Sequence, residues 1–196
     1  MWKQWVASAT AVIAVVLFTL PAPARADDAR DPRDQASSRR GTERAHAVWR
    51  DWTTIGAVGT VDERDQGMQA INGWVHIRED VTGTLNLRYN VTAVDGLFGG
   101  EGVELGVRFI DNGADAQVVV RLQQYALETG DGTTLLTLDS NEFSARDEFQ
   151  LQTEVACGVR FNFFPYAYYL DVELRKTHAT GRPALAIIQL ASVRCP

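Results

Sequence analysis

From Ile71 onward, apolar and polar residues alternate with period two almost without interruption. Leu85, Leu87, Tyr89 and Val91 alternate with Asn86, Arg88, Asn90 and Thr92. Val103, Leu105, Val107 and Phe109 alternate with Glu104, Gly106 and Arg108. Val118, Val120 and Leu122 share one phase, and Tyr168, Leu170, Val172 and Leu174 alternate with Tyr169, Asp171, Glu173 and Arg175. Successive side chains of a strand point to opposite faces, so this pattern predicts strands buried on one side. The candidate strands run over 71–78, 84–94, 103–109, 117–127, 133–139, 149–161, 168–174 and 185–194. In the sixth, Phe149, Leu151, Val155, Cys157, Val159 and Phe161 occupy the phase read as inward.

Between these runs stand "VDGLFGGEG", "DNGAD", "ETGDGT", "LDSNE", "NFFP" and "HATGRP". Short Gly/Asn/Asp turns between adjacent strands mean antiparallel hairpins. About eight or nine strands with one apolar face each require two sheets packed face to face. The predicted fold is all-β: an antiparallel two-sheet β-sandwich of jelly-roll-like type, with a closed β-barrel as the alternative.

The first residues read differently. Val6–Leu20 carries no charge, follows Lys3, and leads into "PAPARADD", where Ala24-Arg25-Ala26 fits a small-x-small cleavage site. This is the layout of a signal peptide over 1–26, with an uncleaved anchor as the alternative. Asp27–Ala45 has five acids, five arginines and no aliphatic residue larger than Ala, so it reads as a flexible charged linker. A single sandwich domain over 46–196 remains, and the expected location is secreted or in the cell envelope or periplasm. No other stretch of the sequence is apolar enough to span a bilayer.

An exported chain changes the reading of the two cysteines. Cys157 and Cys195 most simply form one disulfide. By phase, Cys157 goes with Leu151, Val155 and Val159, and Cys195 with Leu185, Ile187 and Val193, so the bond is expected inside the sandwich. There is no CxxC motif to suggest redox or zinc chemistry.

Charge then removes some partners. Without Lys3 and Arg25 the chain keeps 17 basic and 25 acidic residues, a formal charge of −8. A nucleic-acid binder wants a basic stripe, and adsorption to anionic lipid wants the same. Neither partner is expected.

Candidate chemistry is sparse. His46, His76 and His178 lie far apart in sequence, no HExxH occurs, and no GxSxG elbow is present. His76 alternates with Val75 and Ile77 and so is expected on a solvent-facing strand side. Asp171 and Glu173 project from one side of one strand, and Glu104 could do so from another; paired carboxylates are what a glycoside hydrolase needs. Oxygen ligands in turns suit calcium, and "IDNGAD" offers Asp111, Asn112 and Asp115, while "LDSNE" offers Asp139, Asn141 and Glu142. Such residues also occupy turns for backbone reasons alone. No other cofactor is suggested.

The aromatic run Phe161–Tyr169 divides by phase. Phe161 and Tyr168 belong to the core, and Pro165 marks a break between strands that Phe163 and Phe164 would cover. Tyr169 shares the outward face of Asp171 and Glu173, with Tyr166 nearby at the turn. These four residues form the predicted ligand site. The function expected from these features is a non-catalytic binding module for carbohydrate or a cell-envelope component. A structural interaction protein of the cell surface is the alternative, and a small glycoside hydrolase the third reading.

Overall fold

The computed structural model describes residues 52–62, 67–93, 97 and 100–195. The expected signal segment 1–26, the charged linker 27–45 and the start of the domain at His46 lie outside the described residues. The strands are β1 (Trp52–Ile55), β2 (Thr60–Val61), β3 (Met68–Ile71), β4 (Trp74–Ile77), β5 (Gly83–Val91), β6 (Gly102–Asp111), β7 (Ala116–Ala126), β8 (Gly132–Asp139), β9 (Arg146–Cys157), β10 (Tyr166–Lys176) and β11 (Ala184–Val193).

Pairing among the last eight strands is nested. β7 pairs with β8, β6 with β9, β5 with β10 and β4 with β11, all antiparallel. Two lateral pairs, β10 with β7 and β11 with β6, then gather the nest into sheets. One sheet runs β3-β4-β11-β6-β9, with β1 also on β11; the other runs β2-β5-β10-β7-β8. This is the jelly-roll arrangement, and neither strand order closes on itself, so the sandwich is open rather than a barrel.

The alternation seen in the sequence is the wall of the core. Leu85 and Leu87 of β5, Val118, Val120 and Leu122 of β7, and Leu170, Val172 and Leu174 of β10 face Val103, Leu105, Val107 and Phe109 of β6 and Ile188 and Leu190 of β11, all essentially without solvent contact. Each such burial contributes about 1.5–3 kcal/mol, which makes this packing the main source of stability. Tyr89 adds a polar tie. Its hydroxyl donates to the carbonyl of Gly56 at 2.6 Å, at the turn where the chain leaves β1. Gly56 is held close there, since an added Cβ would stand 2.1 Å from the Leu185 carbonyl oxygen.

Four local readings are corrected. The expected strand 71–78 is a hairpin: β3 and β4 pair around Asn72 (φ 50°) and Gly73 (φ 88°). Two central residues with positive φ make the type I′ turn that matches strand twist, and Asn-Gly is its preferred sequence. The phase of β9 is inverted. Leu151 and Val155 are 52% and 48% exposed, while Gln150, Gln152, Glu154 and Ala156 stand opposite the inward Phe109, Val107, Leu105 and Val103 of β6. β9 is the margin of its sheet, so its inward side meets the rim where water reaches, and half-exposed Gln152 and Glu154 are tolerated there.

The disulfide joins Cys157 and Cys195, with a Cα–Cα distance of 5.8 Å, but it lies outside the core. Cys157 is exposed and ends the outward phase of β9. The bond spans β6, which lies between β9 and β11, and passes over Gly102: an added Cβ there would stand 2.7 Å from the Cys195 sulfur. Glycine at 102 is the residue that lets the crossing occur.

The aromatic run is resolved residue by residue. Phe161 and Tyr168 are buried, and Phe163 packs on both, with ring centroids 5.8 and 4.9 Å away. Phe164 is 94% exposed and covers nothing, contrary to expectation; its backbone N–H donates to Asn162 Oδ1 at 3.3 Å in the turn. Leu97 is buried and plugs its end of the sandwich, while its neighbour Phe98 lies outside the described residues.

Candidate functional site

The predicted ligand residues separate onto two faces of β10. Tyr169, Asp171 and Glu173 lie together on the outer face of the five-stranded sheet. Tyr166 lies on the other face, where it packs against the core and meets Tyr168 edge-on at 6.4 Å. The two acids are held by arginines. Asp171 sits between Arg88 and Arg121, each at 3.8 Å, and Glu173 takes Arg121 at 3.4 Å together with Arg175. Glu104 lies on β6, on the outer face of the opposite sheet, so the three carboxylates share no cleft.

The two acidic turns shape the fold. Ser140 donates to Asp111 at 2.5 Å and accepts from the Val118 amide at 2.8 Å, which ties the "LDSNE" turn to the "IDNGAD" turn. Asp139 accepts from the Gln117 amide and from the Asn141 backbone. Asn112 donates to the Thr180 carbonyl and accepts from the Arg182 amide. Asp115 accepts from Thr180 at 2.6 Å and lies 2.8 Å from His178. The Thr180 hydroxyl, and after it His178, hold the Asp115 carboxyl below its usual range. Among the described residues no group of three metal-type side chains clusters around a common point.

These bonds position a wall. Four connections pass between the sheets at one end of the sandwich: β4–β5, β6–β7, β8–β9 and β10–β11. The β10–β11 loop is clamped onto the β6–β7 turn so tightly that a Cβ on Gly181 would stand 2.1 Å from the Asp115 carbonyl oxygen. Where this end meets the outer face of the six-stranded sheet there is an open pocket of about 540 Å³. Its floor and sides include Trp74 and His76 of β4, Ile110 of β6, Lys176 of β10 and Ala184 of β11. Its rim includes Glu79, Asp147 and Arg182.

Part of the lining is aromatic. Trp74 and His76 alternate with buried Val75 and Ile77, so both project outward, as expected for His76. Their rings stack at 4.5 Å, Phe149 approaches Trp74 edge-on at 5.8 Å, and the Arg108 guanidinium lies 5.7 Å over Phe149. The lining also carries charges of both signs. Arg182 pairs with Asp147 at 3.3 Å, both well exposed, and Glu79 is exposed beside them. Sequence reasoning missed Trp74 and Phe149. The available signal was the Asn-Gly turn: read as a hairpin, it places Trp74 first on a new strand, in phase with His76.

No protein-family model matches the chain, and no curated protein matches it. Among solved structures it is similar to the carbohydrate-binding module CBM6cm-2 from Cellvibrio mixtus lichenase 5A in complex with cellotriose (TM-score 0.44, 10% identity, 73% of this chain and 98% of that one). It is similar to the C-terminal CBM6 of LamC, a marine laminarinase from Zobellia galactanivorans (TM-score 0.44, 10% identity, 72% and 98%). It is also similar to the carbohydrate-binding module CBM36 in complex with calcium and xylotriose (TM-score 0.42, 12% identity, 71% and 99%).

Burial lowers the affinity of His76 for a proton, more than the nearby Glu79 raises it. The neutral ring donates from Nε2 to the Gln69 side-chain oxygen at 3.1 Å, which leaves Nδ1 as an acceptor with no partner among the described residues. Lys176 is buried and donates from Nζ to the carbonyls of Arg78 and Glu79, at 3.0 and 2.9 Å. It closes the β4–β5 connection over the end of the core. Among the described residues no helix is long and apolar enough to cross a membrane.

Proposed function

We propose that the protein is a non-catalytic binding module that holds carbohydrate in the pocket beside Trp74. The observation that carries this reading is the meeting of two kinds of lining in one pocket: the stacked rings of Trp74 and His76, with Phe149 edge-on behind Trp74, and the charged Arg182, Asp147 and Glu79. A sugar ring has an apolar C–H face and a rim of hydroxyls. The face suits an indole edge or plane, and each hydroxyl is both donor and acceptor, so it suits neighbouring guanidinium and carboxylate groups. The charges lining the pocket balance, Glu79 and Asp147 against Lys176 and Arg182, which fits a neutral ligand. The domain would act outside the cytoplasm, carried there by the segment 1–26 and set off by the linker 27–45.

The test is affinity electrophoresis of the full-length protein in gels containing arabinoxylan, mixed-linkage β-glucan, galactan or glucomannan. Trp74→Ala is expected to weaken retardation by about tenfold or more, because a large aromatic contact is lost. Its melting temperature should change little, since Trp74 faces out. Equal retardation of Trp74→Ala and the wild type would sink the pocket reading.

A further inference from the structure

We propose that the outer face of the five-stranded sheet is a second carbohydrate surface, built to hold a neutral saccharide chain along Tyr125 and Tyr169. It lies on the opposite side of the sandwich from the pocket and shares no residue with it.

The register shows what this face offers. Asn90 of β5, Tyr169 of β10, Gln123 of β7 and Thr134 of β8 form one row across four strands. The Gln123 amide and the Thr134 hydroxyl are within 2.9–3.0 Å and hold each other in place. Tyr125 lies two residues along β7 from Gln123, diagonal to Tyr169, at a separation of roughly 7–8 Å. Its cross-strand neighbours are Ala167 and Gly132, the two smallest side groups available. Nothing on either side therefore covers the ring, and Tyr125 is 40% exposed. Its hydroxyl rests on the β7–β8 turn, where a Cβ on Gly130 would come within 3.2 Å of it. The ring is a supported shelf rather than a freely swinging side chain.

The charges on this face decide the class of ligand. Asp171 and Glu173 are already occupied by Arg88, Arg121 and Arg175. An acidic polymer would have to displace those carboxylates from the arginines, and a basic one would have to displace the arginines. What remains open is neutral: exposed Asn90 and Thr134, half-exposed Gln123, and two tyrosine rings. Val119, the aliphatic residue on this face of β7, is 4% exposed, so an apolar protein contact finds little purchase there. A polyhydroxylated neutral chain uses both the rings and the amides.

The test is isothermal titration calorimetry of the full-length protein against xylohexaose, cellohexaose and mannohexaose, repeated at low and high salt. The variants are Trp74→Ala, the double variant Tyr125→Ala/Tyr169→Ala, and all three together. The tyrosines face solvent, and circular dichroism with a melting curve checks each fold. Starting from Trp74→Ala, the tyrosine substitutions are expected to lower the remaining affinity for one hexaose by about tenfold or more. Binding that survives Trp74→Ala unchanged but is lost with the tyrosines removes the pocket reading and upholds this one. Residual binding that the tyrosines do not change overturns the second surface, as does residual binding that disappears at high salt. Failure of all three hexaoses to bind overturns both.

Discussion

Replacing both cysteines with alanine isolates the contribution of the disulfide. The two residues are 38 apart in sequence, and the bond lies on an exposed face. Alanine at Cys157 therefore opens no cavity in the core, and the change acts mainly on the unfolded chain. A cross-link closing a loop of this length removes on the order of 13 cal/mol/K of chain entropy, or about 4 kcal/mol at room temperature. For a domain of this size each kcal/mol moves the melting temperature by about 2–4 °C, so Cys157→Ala/Cys195→Ala should melt about 8–16 °C lower. The assay is equilibrium unfolding in urea followed by tryptophan fluorescence. The variant should show a lower midpoint and a steeper slope, since a chain without the cross-link exposes more surface when it unfolds. Wild-type protein treated with reductant should overlay the variant. A loss below about 1 kcal/mol would refute the reasoning, because the β6–β9 and β6–β11 pairings alone would then fix the end of the chain.

Two further outcomes follow from buried polar groups. Tyr89→Phe removes the donor to the Gly56 carbonyl and should cost about 1–3 kcal/mol in the same urea assay; a change within error would mean that water replaces the bond. His76 has a lowered proton affinity in the folded state, so between its folded value and 6.5 the unfolded chain binds the extra proton. The stability tied to the neutral ring is complete above pH 6.5 and declines as the pH falls below it. Melting temperatures measured at pH 7.5 and pH 5 should therefore separate more for the wild type than for His76→Gln, and equal separations would rule out this contribution.

Period two made the sandwich legible, because one buried face per strand leaves a mark that survives without homologues. It also placed Tyr168, Tyr169 and His76 on the faces where the structure has them, while Phe161 is buried from the loop after β9 rather than by the strand phase of Cys157. It could not say which phase points inward. On β9 the larger apolar residues are Phe149, Leu151 and Val155, so the apolar phase looked like core, yet a marginal strand meets the rim on its inner side and solvent on its outer side. The disulfide inherited that inversion. The pocket was hidden for a different reason. Its residues come from β4, β6, β9, β10, β11 and the loops between them, and only the nested pairing brings them together. Trp74 carried no chemistry on its own and gains its place from Phe149, 75 positions away in sequence.

The nested pairing has a consequence for how the chain reaches this state. Its innermost pair, β7 with β8, is closed by the short turn 127–131, and each outer pair must close a longer loop. Loop closure costs rise only with the logarithm of length, so once the inner hairpin exists each later pairing adds little entropic cost to the one before. Assembly should begin at the β7–β8 hairpin and proceed outward, with β4 and β11 joining last. Substitutions such as Leu122→Ala in the inner hairpin should slow refolding, while Val75→Ala in β4 should mainly speed unfolding. The Cys157–Cys195 bond ties β9, of an inner pair, to the chain after β11, of the outermost pair, so it should form late in folding, and its main kinetic effect should be to slow the opening of the finished roll.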